Sequence, residues 1–150
     1  MDTENLAKFI RKGDIPKVSK EIGRLAANEE VNVFDVSNEG EVIPTLHLAA
    51  EFDKQGDILE KLVDEGADTE RMRYQPFDVE NEDYQPAYGK GDCTALTFAV
   101  INKNYEAVNK LLNLGADANG RGDTLENPIV YSIFLEDIED AKNFTLLLVA

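Results

Sequence analysis

The chain has 150 residues, with 15 basic and 30 acidic side chains and a net charge of −15. That balance argues against nucleic acid or an anionic membrane as the partner, since both are polyanions, and it permits a basic protein. Cys93 is the only cysteine, so an internal disulfide is excluded, and no stretch reaches the roughly 18 apolar residues of a membrane helix.

The length suits a single domain, and the first residues are polar and acidic with no signal-peptide run. The expectation is a cytoplasmic protein, or one delivered into a host or target cell by a dedicated machine without a classical signal peptide. Along the chain the apolar pattern is helical, with short polar breaks. Leu6, Phe9 and Ile10 share one helical face, Gly13-Asp14 interrupts it, and Ile15, Val18, Ile22 and Leu25 resume it. Pro16 fits the first turn of that second helix. A second pair is predicted over 45–53 and 57–65, with Ile58, Leu59, Leu62 and Val63 inward and Gly66 as the stop. A third is predicted over 95–102 and 105–114, with Val108, Leu111 and Leu112 inward and Gly115 as the stop. A fourth begins at Pro128, breaks near Glu136-Asp137 and resumes through Phe144, Leu147 and Leu148.

The pairs repeat one another. Thr45-Leu46-His47-Leu48-Ala49-Ala50 followed by Gly66-Ala67-Asp68 recurs as Ala95-Leu96-Thr97-Phe98-Ala99-Val100 followed by Gly115-Ala116-Asp117. Thr94 and its counterpart Asn127 lie 33 positions apart. This resembles the ankyrin repeat, whose period is about 33 residues and whose core signature is a Thr-Pro-Leu-His run. The resemblance implies an all-α solenoid of about four helix-turn-helix units with short β-turn fingers, at about 4–36, 44–69, 94–119 and 127–150. It departs from the family pattern at Pro44-Thr45, which reverses Thr-Pro, and at Thr97 and Val130, which replace the signature histidine. Small residues at Ala49, Ala50, Ala99 and Ser132 keep neighbouring helices close. The structural residues are read as His47, Gly66, Thr94, Gly115 and Pro128.

The segment over 70–93 is abnormally long. Gly66 to Thr94 is 28 positions, whereas Gly115 to Asn127 is 12. The insert holds Tyr74-Gln75-Pro76, Tyr84-Gln85-Pro86 and Tyr88, with Asp78, Glu80, Glu82 and Asp83 between. Two readings compete: a tolerated surface insertion, or a contact segment, since loops of this length are often functional and tyrosines give contact area at low entropy cost.

Chemistry is sparse. His47 is the lone histidine, which excludes the usual zinc sites, and the resemblance implies that it hydrogen-bonds turn backbone. Cys93 has no base close in sequence, so a catalytic thiol is disfavoured. The acidic run lacks the glycine that a calcium loop needs. Arg121-Gly122-Asp123 is read as a chance tripeptide in a glycine turn. The expectation is a non-enzyme without cofactor or metal.

The resemblance also implies a concave face, formed by the first helix of each pair. The positions exposed there carry over to Arg11 and Lys12, Glu51 and Phe52, Ile101 and Asn102, and Phe134 and Leu135. With Tyr74, Tyr84 and Tyr88 these are the expected partner-binding residues. The chain closes on the apolar run Phe144–Ala150, where a terminal repeat needs a polar face. A longer protein with this chain as its N-terminal part, a homodimer through this helix, and a natural terminus are the three readings. The expected function is non-catalytic protein recognition, as an adaptor or effector targeting domain. The alternative is a stand-alone acidic inhibitor, immunity- or antitoxin-like, of a basic toxin or nucleic-acid-acting enzyme.

Overall fold

The computed structural model describes residues 3–27, 32–71, 93–119, 128, 132 and 137–149. In the first pair, α1 (Glu4–Lys12) buries Leu6, Ala7 and Ile10, and α2 (Ile15–Ala26) buries Val18, Ile22 and Leu25. Both sets recur at helical spacing, so each helix has one apolar stripe. The Asp14 carboxylate accepts from the Lys17 amide at 3.2 Å and caps α2, with Pro16 in its first turn.

A hairpin follows. β1 (Asp35–Asn38) pairs antiparallel with β2 (Glu41–Pro44), Val36 opposite Ile43 and Asn38 opposite Glu41. Glu39 and Gly40 both have positive φ, 53° and 90°, as a two-residue type I′ turn requires. Val36 and Ile43 are buried and Val42 points away, 73% exposed. The architecture is therefore mostly helical but not all-α: the first finger is a two-stranded sheet.

The remaining helices are α3 (Thr45–Phe52), α4 (Asp57–Asp64), α5 (Ala95–Ile101), α6 (Tyr105–Asn113) and α7 (Ile138–Val149). Helices α1, α3 and α5 pack side by side, α2, α4 and α6 form a second row behind them, and α7 packs on α6. The inner helices are short and buried nearly all round: Thr45 to Ala50 in α3 and Ala95 to Val100 in α5. Ala49, Ala50 and Ala99 have no exposed surface, and their small side chains let adjacent pairs approach. Pro128 and Ser132 are helical and buried. One apolar cluster runs from Leu6 to Leu148, so each pair is stabilised chiefly through its neighbours.

Both expected glycine stops are left-handed, Gly66 at φ 111° and Gly115 at φ 97°. At each, the glycine amide and the next amide bond back into the helix: Gly66 to Val63 and Ala67 to Leu62, Gly115 to Leu112 and Ala116 to Leu111. These are Schellman closures, which satisfy the last carbonyls and turn the chain out of the helix. Val63 and Leu112, expected inward, are half-buried at the edge of the core.

Candidate protein-binding face

The face is built on a stack whose turns are tied across repeats. His47 is fully buried, and its Nε2 lies 2.7 Å from the Cys93 carbonyl oxygen. The imidazole therefore joins the second helix pair to the turn that opens the third, the role the resemblance implied. Cys93 is buried. Thr94 is buried with extended backbone at the start of α5, and Thr97, in the place of the signature histidine, is buried too.

Two buried polar residues that sequence reasoning passed over hold the inner turns. The Asp53 carboxylate accepts from the Gln55, Gly56 and Leu59 amides at 3.2, 3.0 and 2.9 Å. It supplies acceptors to amides that would otherwise be orphaned at the start of α4. Asn104 caps α6 by accepting from the Ala107 amide at 3.3 Å. Its amide donates to the carbonyls of Ala50 and Asp53, at 3.0 and 2.9 Å. The available signal was an Asp or Asn at the break before each second helix.

On the finger side, the Arg71 guanidinium donates to the Phe34 carbonyl at 3.2 Å and pairs with Asp35. Glu70 accepts from the Asp117 amide at 3.1 Å. On the back, Lys110 Nζ meets Glu60 at 2.9 Å. This hydrogen bond, aided by the negative charges of Glu60, Asp57 and Asp53, holds the ammonium above its ordinary 10.5 against the opposing effect of desolvation.

Six of the expected partner-binding residues lie in or just past the last turns of α1, α3 and α5. Arg11, Glu51, Phe52, Ile101 and Asn102 are half-buried and Lys12 is exposed. Phe52 and Ile101 lean on the core while keeping an accessible edge. Asn102 turns its amide back onto the Phe98 carbonyl at 2.8 Å, so part of its capacity closes α5. Phe134, Leu135, Tyr74, Tyr84 and Tyr88, and the acids Asp78, Glu80, Glu82 and Asp83, lie outside the described residues. So does Arg121-Gly122-Asp123.

Between the first two inner turns the fold leaves an open groove of about 370 Å³. Arg11, Lys12 and Ile15 line one side; Phe52, Lys54 and Gln55 line the other. A second recess of about 390 Å³ separates α1 from the hairpin tip, and Arg11 lines both. The Arg11 guanidinium donates to the Asn38 side chain, which fixes it between the two. No group of three or more metal-ligating side chains gathers among the described residues, and no described helix is long and apolar enough to cross a membrane.

Residues 91–123 match the family model of the ankyrin repeat. The chain carries an ankyrin repeat. The match covers the unit built on Thr97 and Asn104. A likeness of fold covers most of the chain in one further comparison. The solved structure of the Bd0816 predatory endopeptidase from Bdellovibrio bacteriovorus in complex with immunity protein Bd3460 includes a chain 20% identical to this one, with a TM-score of 0.57. The alignment covers 94% of the present chain and 62% of that chain, so the present chain spans less than two thirds of it. At that identity the likeness is one of fold. No curated protein matches significantly.

Proposed function

We propose that this ankyrin-repeat chain is a non-catalytic module that binds another protein through the open edge of its inner helices. The observation that carries this reading is the row of half-buried side chains at the ends of α3 and α5. Phe52 and Ile101 rest on the core yet keep an accessible edge, and such partly exposed apolar groups serve as interface anchors. The tyrosine-rich insert over 70–93 is the second contact segment of this proposal. Two of the buried polar groups hold the fold: His47 bonds to the Cys93 carbonyl and Asp53 to three amides.

The test is the double substitution Phe52→Asp with Ile101→Asp. Captured protein partners should be lost while the chain still unfolds in one cooperative transition, each change costing about 1 kcal/mol because both side chains rest partly on the core. Cooperative unfolding at a much lower temperature would make these core residues and refute the assignment. Replacing residues 74–89 by a glycine-serine turn should weaken capture and leave the helical circular dichroism intact.

The adaptor or effector-targeting role in the cytoplasm is the finer form of this proposal. A second form is favoured by the similarity to a chain in an endopeptidase–immunity protein complex: an acidic inhibitor of a basic enzyme. A net charge of −15 would accelerate encounter with such a target, and the association rate would fall steeply with added salt. Stoichiometric loss of a captured enzyme's activity on titration with this chain separates the inhibitor from the adaptor. An apolar stripe of Ile138, Leu146 and Val149 lies exposed along α7, and sedimentation equilibrium tests whether it supports a homodimer.

A further inference from the structure

Charge is unevenly distributed along the stack. Residues 1–27 hold six basic and four acidic side chains, a net of +2, so the remainder of the chain carries −17 of the total −15. The groove between the first two inner turns concentrates this positive end. Arg11, Lys12 and Lys54 line it, and the only carboxylate among its lining residues is Asp53. That carboxylate is 2% exposed and already accepts from three backbone amides, so it is turned into the fold. Asp14, next to the groove in sequence, caps α2 and faces Lys17 at 3.7 Å. Arg11 donates to the neutral Asn38 side chain, and neither Lys12 nor Lys54 forms an ion pair among the described residues.

Helix dipoles do not offset these cations. The C-terminal end of α1 meets the N-terminal end of α2 at one turn, and α3 meets α4 at the other. Each turn thus pairs a partial negative with a partial positive end, and the side chains decide the local potential. Phe52 and Ile15, both half-buried, supply an apolar wall beside the cations. The groove is open, with a volume of about 370 Å³, so side chains of an extended segment can reach the cations from solvent.

We infer that this groove receives an acidic segment of the protein partner, a carboxylate side chain with an apolar residue beside it. Arg11, Lys12 and Lys54 engage the carboxylate, and Phe52 and Ile15 take the apolar neighbour. The inference rests on the reading of the chain as a protein-recognition module and gives the sign of charge at one contact. It is compatible with a partner that is basic overall. Net charge acts on encounter at long range, whereas within a Debye length of about 8 Å at physiological salt the local cations dominate.

The experiment uses the full chain and three synthetic decapeptides: one alternating glutamate with leucine, one alternating lysine with leucine, and one alternating glutamate with serine. Amide chemical shifts and titration calorimetry are recorded for each. The glutamate-leucine peptide should shift the amides of Gly13, Lys54 and Gln55 saturably. The serine peptide should bind more weakly, and the lysine peptide should leave those amides unmoved. Lys12 and Lys54 are exposed, so Lys12→Glu with Lys54→Glu should fold with an unchanged melt and lose at least tenfold in affinity. Phe52→Ala should lose affinity for the leucine peptide alone. An acidic peptide that leaves the groove amides still, or binds the charge-reversed variant equally well, overturns the inference. If a captured protein partner still binds that variant at wild-type strength and is lost on Phe52→Asp with Ile101→Asp, the groove assignment fails and protein recognition stands. Loss of neither interaction on any of these changes overturns both.

Discussion

The second and third helix pairs solve the same packing problem with different side chains. In the second, the signature position is His47, whose imidazole spans to the Cys93 carbonyl at 2.7 Å. In the third it is Thr97, equally buried but shorter by a ring. The inner turns differ as well. Four residues, Asp53 to Gly56, connect α3 to α4, and three, Asn102 to Asn104, connect α5 to α6. The longer turn is closed by a carboxylate that collects three amides and by Gly56 at φ 86°. The shorter one is closed by Asn104, which also bonds back to the preceding pair. What the stack requires at these places is a buried group that satisfies backbone; the residue type follows from how far it must reach.

The sharpest way to break this comparison is at position 47. His47→Ala removes a buried ring and its hydrogen bond to the Cys93 carbonyl, a loss of about 3 kcal/mol. Thr97→Ala should cost about 1 kcal/mol, because a smaller side chain is removed. Urea unfolding of the two variants measures the difference. Equal costs would mean that the imidazole acts only as filler.

Next in size are the caps. Asn104→Ala leaves the Ala50 and Asp53 carbonyls and the Ala107 amide without their partner, and should cost about 2 kcal/mol. Asp53→Ala should cost about as much by uncapping α4. Both residues shape the same turn, so the double variant should depart from additivity by about 0.5 kcal/mol or more. Strict additivity in chemical denaturation would show that the two caps act on separate helices and do not couple the pairs.

The smallest effect belongs to Lys110, whose stem covers Gly56 and whose ammonium meets Glu60. A β-carbon built at Gly56 would stand 3.0 Å from Lys110 Cγ, so the contact is close. The folded ammonium titrates above 10.5, which fixes the sign. Its contribution is fully present below the unfolded value and is lost as pH rises through the folded one. Lys110→Met keeps the stem and removes the charge. The stability gap to the parent chain should therefore be constant near neutrality and close only in strongly alkaline solution. A gap that widened with pH would reverse the assignment.

Much of this was legible in the sequence for a local reason. Helix periodicity, the stops at Gly66 and Gly115 and the Thr45–Ala50 run are properties of neighbouring residues along the chain. Helical φ/ψ and Schellman closure follow from them with little help from distant parts. The hairpin at Asp35–Pro44 was covered only in general terms, by the short β-turn fingers that the resemblance implied; each strand has just four residues, too few for a period of two to stand out. Asp53 and Asn104 went unremarked because their partners belong to another repeat or lie several amides ahead, and an Asp or Asn in a polar break looks like any turn residue.

The amino-acid sequence by itself determined that this is a repeating helical stack with a strongly acidic surface, because periodicity and charge are additive along a chain. The tertiary structure alone decided that His47 reaches Cys93, 46 positions away, that Asn104 ties two pairs together, and that Arg11, Lys12 and Lys54 converge on one groove. Those are facts of distance between residues far apart in sequence. The stacking of α1 against α3 and of α3 against α5 sets them, since close approach at the buried alanines Ala49, Ala50 and Ala99 brings the inner turns side by side.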